Sequence, residues 1–348
     1  MAIQTVLGPV EPGQLGMVLP HEHLVIGFDR LWRPPRRPGD LRMALGPFQA
    51  ELRGTVNHDP NLVLDAVGNP SAHLLVGELA KFADAGGSTL VEVTPIGMGR
   101  APEVLAALSR LSGVNVVMST SLYIEQFHPP FVDVVDAETI AALFVEELTV
   151  GVDGTGIRAG YIGEIGTISP LTENEFKVLD AAVLASAETG VAINVHRTSY
   201  PDGDAVIQAI EHLLGRGASP DRVVVSHCDE VPDMGLTLEL ARRGVYVEFD
   251  TFGMEAWAVT WPGEHGEIPA STDSDRIRML LQLLEGGFRE QLLLSQDVCN
   301  KAQLCRFGGY GYAHLIENIF DRLRRHGLSQ QDLDQLSVSN PARVLTPA

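Results

Sequence analysis

Apolar and polar positions along this chain are grouped in blocks. Eight short, largely apolar runs recur from one end to the other, each followed by a longer stretch with apolar residues at helical spacing. The runs span about 16–23, 88–94, 114–120, 159–165, 191–196, 222–228, 244–251 and 291–298. Strands this short, apolar on both faces, suit a parallel sheet covered by helices. The amphipathic stretches predict helices over 71–85, 101–111, 137–149, 171–189, 204–214, 234–243, 274–285, 312–326 and 330–336. Gly86-Gly87 and Gly190 supply stop signals for two of them. Strict β-then-α alternation predicts an α/β fold.

The remaining segments refine that picture. Ile3 to Gln14, punctuated by Gly8, Pro9, Pro12 and Gly13, reads as a short N-terminal hairpin. Residues 27–69 are rich in Pro, Arg and Gly, and Trp32 to Pro38 contains three prolines, which excludes a helix interior. That region predicts a long loop with one short helix near Leu41 to Leu52. The first strand is not followed by the glycine-rich phosphate turn of an open dinucleotide-binding sheet. No composition break divides the chain. Eight units in 348 residues therefore predict a (β/α)8 TIM barrel, one domain over 1–348, with extended βα loops 1 and 7.

Charge and composition narrow the partners. With 25 basic and 45 acidic residues the net charge is −20, which argues against nucleic acid and anionic membrane and leaves a small-molecule substrate. No apolar run is long enough to span a bilayer. Met1-Ala2-Ile3-Gln4-Thr5 has neither the basic start nor the apolar core of a secretory signal. Cys228, Cys299 and Cys305 form no disulfide framework, so a reducing, cytoplasmic location is expected.

The candidate chemistry begins in Pro20-His21-Glu22-His23-Leu24. Residues i and i+2 of a strand share a face, so His21 and His23 can grip one ion. Alone, such a pair is as often two hydrogen-bonded polar residues. Glu164, His196, His227 and Asp297, however, all fall at carboxyl ends of other predicted strands, the face where barrels place catalysis. Four imidazoles and two carboxylates suit zinc-like divalent ions and exceed what one tetrahedral ion needs, so two metals are expected. Glu22 points away from its neighbours and reads as structural. The other histidines fall in loops or on helices and read as surface residues.

Taken together, Pro20-His21-Glu22-His23-Leu24, Gly163-Glu164-Ile165-Gly166, Val195-His196-Arg197, Ser226-His227-Cys228-Asp229, Ser295-Gln296-Asp297-Val298 and Ser339-Asn340-Pro341-Ala342-Arg343 resemble the phosphotriesterase-like family of the amidohydrolase superfamily. The motifs run from one end of the chain to the other. Many members bridge their metals with a carbamylated lysine where this chain has Glu164, and Lys81, Lys177 and Lys301 are badly placed to replace it. The resemblance is therefore to the phosphotriesterase-related (phosphotriesterase homology protein) branch, with a glutamate bridge.

That resemblance implies one ion on His21, His23 and Asp297, a second on His196 and His227, and Glu164 between them. Zinc is the first expectation, with manganese, cobalt or iron open. It further implies a hydrolase in which a hydroxide shared by the metals attacks a carboxyl bond (a lactone, ester or N-acyl amide) and Asp297 acts as base. Phosphotriester hydrolysis is the alternative, and a non-catalytic ligand-binding barrel the second. Tyr123, Arg197 and Asp229 are candidate substrate contacts, with Asp229 also a candidate to orient a histidine. An acid group on the substrate could be received by Arg197 or by an arginine of the Arg30–Arg37 run. Trp257 and Trp261, with Trp32, Phe252 and Met254, are expected either to cover the mouth or to pack a homodimer interface.

Overall fold

In the computed structural model the eight apolar runs form eight parallel strands. They are β1 (Met17–Glu22), β2 (Gly87–Glu92), β3 (Asn115–Thr120), β4 (Tyr161–Ile165), β5 (Ile193–Val195), β6 (Val223–Val225), β7 (Tyr246–Phe249) and β8 (Leu292–Leu294). Each pairs with the next in chain order from β1 to β8. Ser295, just past β8, bridges the remaining gap: its Oγ accepts from His21 N at 3.1 Å and lies 2.8 Å from His21 O. The fold is a (β/α)8 barrel. The structure describes residues 1–67, 72–197, 204–255, 258–259 and 268–348.

Helices α1 (Ala72–Asp84), α2 (Pro102–Ser112), α3 (Ala137–Thr149), α4 (Glu173–Thr189), α5 (Asp204–Gly215), α6 (Met234–Arg242) and α7 (Asp273–Glu285) follow β1 to β7 in turn. After β8 a π-helical turn, Leu315–Ile319, leads into α8 (Phe320–Arg325). Local chemistry sets the ends. Thr172 caps α4 by accepting from Glu175 N at 3.1 Å. Gly190 ends α4 with φ 72°, a conformation that costs a glycine little.

The core has two shells. Val18, Val117, Ala192, Val224, Tyr246 and Leu293 point into the barrel, where Ile3, Leu15, Val344 and Leu345 close its amino end. Their strand neighbours Leu19, Val116, Ile193, Val225, Val247 and Leu294 belong to the larger cluster under the helices. The inward rows change character along their length. Ala192 is followed on the same parity by Asn194 and His196, Tyr246 by Glu248 and Asp250, and Leu293 by Ser295 and Asp297. An apolar floor thus gives way to a polar mouth.

Two expectations need correction. The strands are shorter than the apolar runs: β8 ends at Leu294 and β6 at Val225, so Asp297 and His227 sit beyond the ladder. There, side chains take over the backbone bonds, as when Glu22 accepts from Gln296 N and Val298 N, both at 2.8 Å. The long first loop holds three α-helical pieces (Leu41–Ala44, Arg53–His58 and Leu64–Val67), where the composition predicted one short helix. The N-terminal hairpin is present, pairing Ile3–Thr5 with Gly8–Val10. In loop 7, Ala258 and Val259 pair with Pro269 and Ile268. Among the described residues no helix is long and apolar enough to cross a membrane.

Candidate metal centre

Six side chains from the ends of four strands, β1, β4, β5 and β6, and from the segment after β8 meet at the mouth. Glu164, closing β4, is the hub. Its Oε2 lies 2.8 Å from His196 Nδ1, 3.4 Å from His227 Nε2 and 3.7 Å from His21 Nε2, and its Oε1 lies 3.4 Å from His23 Nε2. Asp297 Oδ1 is 3.4 Å from His23 Nε2. All six residues are buried. The glycines flanking Glu164 explain how it gets there. A Cβ on Gly163 would stand 2.6 Å from Asn194 Cβ, and one on Gly166 2.0 Å from Ile124 N. Only glycine lets β4 approach its neighbours that closely.

The outer nitrogen of each imidazole is engaged, which turns the other inward. His21 Nδ1 lies 3.2 Å from Glu248 Oε2 and 3.4 Å from Asp250 Oδ2. His227 Nδ1 lies 3.0 Å from Asp250 Oδ1. His23 Nδ1 reaches Thr94 Oγ1 at 2.8 Å, and Thr94 donates to Glu92. His196 is reversed: its Nε2 faces Tyr123 Oη at 3.1 Å and its Nδ1 faces the cluster. His227 and Asp297 adopt left-handed backbone, with φ 57° and 46°. For residues other than glycine this costs about 1–3 kcal/mol each and is typical of functional sites.

Three observations test whether divalent ions fit. His21 Nε2 and Asp297 Oδ1 are buried without a hydrogen-bond partner, in a protein where such groups need one. His196 Nδ1 and His227 Nε2 stand 2.8 Å apart, and two imidazole lone pairs at that distance require a cation or a shared proton between them. The donors are also N and O atoms of the kind zinc and similar ions prefer, and subsets group tightly as His21, Glu164 and His227 and as His21, His23 and Asp297. The residues fit.

The electrostatics of the metal-free protein agree. Burial disfavours charge on Glu164, yet His196, His227 and His23 outweigh it and hold the carboxyl well below the usual range. Burial drives His21 down to about 3 and pushes Asp297 up to about 7. Burial also opposes charge on His23, but Glu164 and Asp297 win and raise it to about 9. The cluster thus sets an ionised Glu164 against a protonated His23, while burial favours the neutral forms of His21 and Asp297.

The other candidates separate. Tyr123 lines the cavity and is positioned from behind, where His128 Nε2 donates to its carbonyl at 2.6 Å. Arg197 and Asp229 are buried off the cavity wall. Arg197 Nη1 lies 3.5 Å from Cys228 O. Asp229 accepts from Asp250 N and Thr251 N at 3.2 and 3.1 Å and pairs with Arg276 at 3.3 Å, fixing the end of β7 rather than facing substrate. Trp32 donates from Nε1 to Leu62 O at 3.0 Å within its own loop. Met254 lines the cavity, whereas Phe252 is packed into the core. Trp257 and Trp261 lie outside the described residues. Sequence reasoning passed over Glu248 and Asp250, although Val-Tyr-Val-Glu-Phe-Asp carries the same i, i+2 signal as His21 and His23.

A barrel whose mouth gathers imidazoles and carboxylates around a shared glutamate has the design of a metal-dependent hydrolase. The phosphotriesterase family model matches residues 1–345, and the chain belongs to that family. A protein of Tetraodon nigroviridis named N-acetyltaurine hydrolase is 35% identical over 346 residues, covering 99% of this chain and 97% of that protein. Among solved structures, a resiniferatoxin-binding protein from Rhodobacter sphaeroides superposes with TM-score 0.93 at 34% identity, covering 99% of this chain and 94% of the other. The phosphotriesterase homology protein of Escherichia coli, solved with phosphate in its active site, gives TM-score 0.77 at 28% identity over 96% and 99% of the two chains.

Proposed function

We propose that this protein is a dinuclear metal-dependent amide hydrolase acting on a small N-acylated amine, with His21, His23 and Asp297 holding one ion, His196 and His227 the other, and Glu164 bridging. The observation that carries the reading is the set of inward-facing donors left unsatisfied by the protein itself, His21 Nε2 and Asp297 Oδ1 among them. The resemblance to N-acetyltaurine hydrolase along nearly the whole chain favours an amide over an ester, a lactone or a phosphotriester. Zinc is the first choice for this donor set. Bound there, two divalent cations would supply Lewis acidity and lower the pKa of water to near neutrality.

The chain's own residues do the rest. Asp297, through the carboxylate oxygen other than Oδ1, takes a proton from the attacking water and returns it to the leaving nitrogen. Glu22 aims it by accepting from the backbone on either side, Gln296 N and Val298 N. Tyr123 Oη accepts from His196 Nε2, leaving its own proton for a substrate oxygen. Burial raises that phenol well above its ordinary pKa, so it stays a donor. The cavity over these groups, about 190 Å³ and lined in part by Phe28, Leu31 and Met254, keeps bulk water from the amide.

The test is a hydrolysis screen of N-acyl amines, lactones, aryl esters and phosphotriesters on metal-reconstituted protein. N-acyl amines should give the highest kcat/KM. Preference for another class would overturn the amide assignment, and no turnover of any class would favour the ligand-binding alternative.

A further inference from the structure

One charged group in the cavity plays no part in the chemistry described so far. Arg53 opens the short helix Arg53–His58, deep in the loop after β1, and that helix turns Arg53, Val56 and Asn57 to the cavity on one face. Arg53 is the one permanently cationic side chain among the described residues lining it. Its Nε is buried without a hydrogen-bond partner, and Arg53 makes no ion pair among the described residues. What holds it is shape: its guanidinium carbon lies 5.7 Å from the centroid of the Tyr310 ring, which stacks on His314 at 4.1 Å. His314 is itself fixed by Asp273 Oδ2 at 2.7 Å.

An arginine braced on an aromatic wall, with its fork free, is a preorganised receptor for a planar or tetrahedral oxyanion. In a chain of net charge −20, arginines elsewhere find carboxylates readily, as Arg276 does with Asp273 and Arg100 with Glu147. Arg53 does not. Of the acids sharing the wall, Glu255 is occupied in accepting from Asp273 N at 3.0 Å. Neither Arg197 nor any arginine of the Arg30–Arg37 run lines the cavity, and Arg30 donates to Gln126 O at 2.8 Å with its guanidinium 5.8 Å from the Phe127 centroid.

We propose that Arg53 sets the substrate class: it receives an acid group, carboxylate or sulfonate, carried by the acylated amine, and Asn57 adds a hydrogen bond from the next turn. This rests on the amide-hydrolase reading, with the acid group anchored at one end of the cavity and the scissile amide at the other. Arg53 is a specificity residue rather than a catalytic one.

The test compares N-acetyltaurine, N-acetyl-β-alanine and the neutral N-acetyl-β-alaninamide on metal-reconstituted wild type, Arg53→Gln and Arg53→Lys. Wild type should favour an acidic substrate, and the acid with the higher kcat/KM identifies sulfonate or carboxylate. Arg53→Gln should lower the acid-to-neutral ratio of kcat/KM at least tenfold, chiefly through KM, and Arg53→Lys should recover part of it. An unchanged ratio, or a wild type that prefers the neutral amide, overturns the proposal. Calorimetric binding of the two acids to metal-free protein separates this from the hydrolase reading. If nothing is hydrolysed but Arg53→Gln weakens acid binding tenfold, the hydrolase reading fails and Arg53 stands; equal binding, or none by wild type, removes Arg53. Unfolding midpoints of the variants within a few degrees of wild type exclude misfolding as the cause.

Discussion

Asp297 concentrates the demands of the site in one residue. It sits in left-handed backbone, is buried, and has one oxygen without a partner, while Glu22 grips the amides on both sides of it. Strain and desolvation in a side chain so firmly held are what the proposed base and metal ligand would require. Asp297→Asn preserves size and most contacts but removes the basic oxygen. Turnover should fall by about 10² to 10⁴, the range of general acid–base catalysis. Steady-state kinetics on metal-loaded protein, with metal content measured alongside, checks this. Wild-type kcat in a fully loaded variant would exclude Asp297 as the base.

At the scale of elements, the barrel is closed as much by Glu22 as by the β8–β1 edge. Its carboxylate takes Ser295 Oγ at 2.7 Å and the amides of Gln296 and Val298, tying the first strand to the segment after the last. Glu22→Ala strands two buried amide donors, Gln296 N and Val298 N, each costing about 1–3 kcal/mol, while Ser295 Oγ keeps His21 O at 2.8 Å. Urea unfolding should show a loss of at least about 2 kcal/mol, and a loss below about 1 kcal/mol would show that water replaces the carboxylate. The alternation of apolar runs and helical stretches made the barrel legible, and the polar residues ending those runs marked the mouth, because both follow from local periodicity. Asp250 shows the limit. Its spacing from Glu248 matched that of His21 and His23, yet nothing in the chain says that it turns to His227 Nδ1 across a strand pair. Arg53 was hidden for a related reason. Arg-Gly-Thr-Val-Asn-His has no helical pattern strong enough to predict, and a group defined by missing partners is visible only once its neighbours are placed.

Across the whole molecule, the mouth of the barrel gathers donors whose mutual repulsion the fold alone does not relieve. His196 Nδ1 faces His227 Nε2 at 2.8 Å, and four carboxylates (Glu164, Glu248, Asp250 and Asp297) lie within the same shell as the histidines. Ions that bind this arrangement only when it is folded must stabilise the fold, by about 2.7 kcal/mol at a free concentration one hundred times the Kd. Chelator-treated protein should therefore unfold several degrees below protein reconstituted with zinc, and elemental analysis should return close to two ions per chain. His227→Ala removes one donor from the pair, so it should bind fewer ions and show a smaller rise in midpoint on reconstitution. A midpoint indifferent to metal, or fewer than about one ion per chain after reconstitution, would mean that His23 and its neighbours satisfy themselves by sharing protons. The buried imidazoles and carboxylates would then be a structural network, and the amide chemistry built on them would lose its foundation.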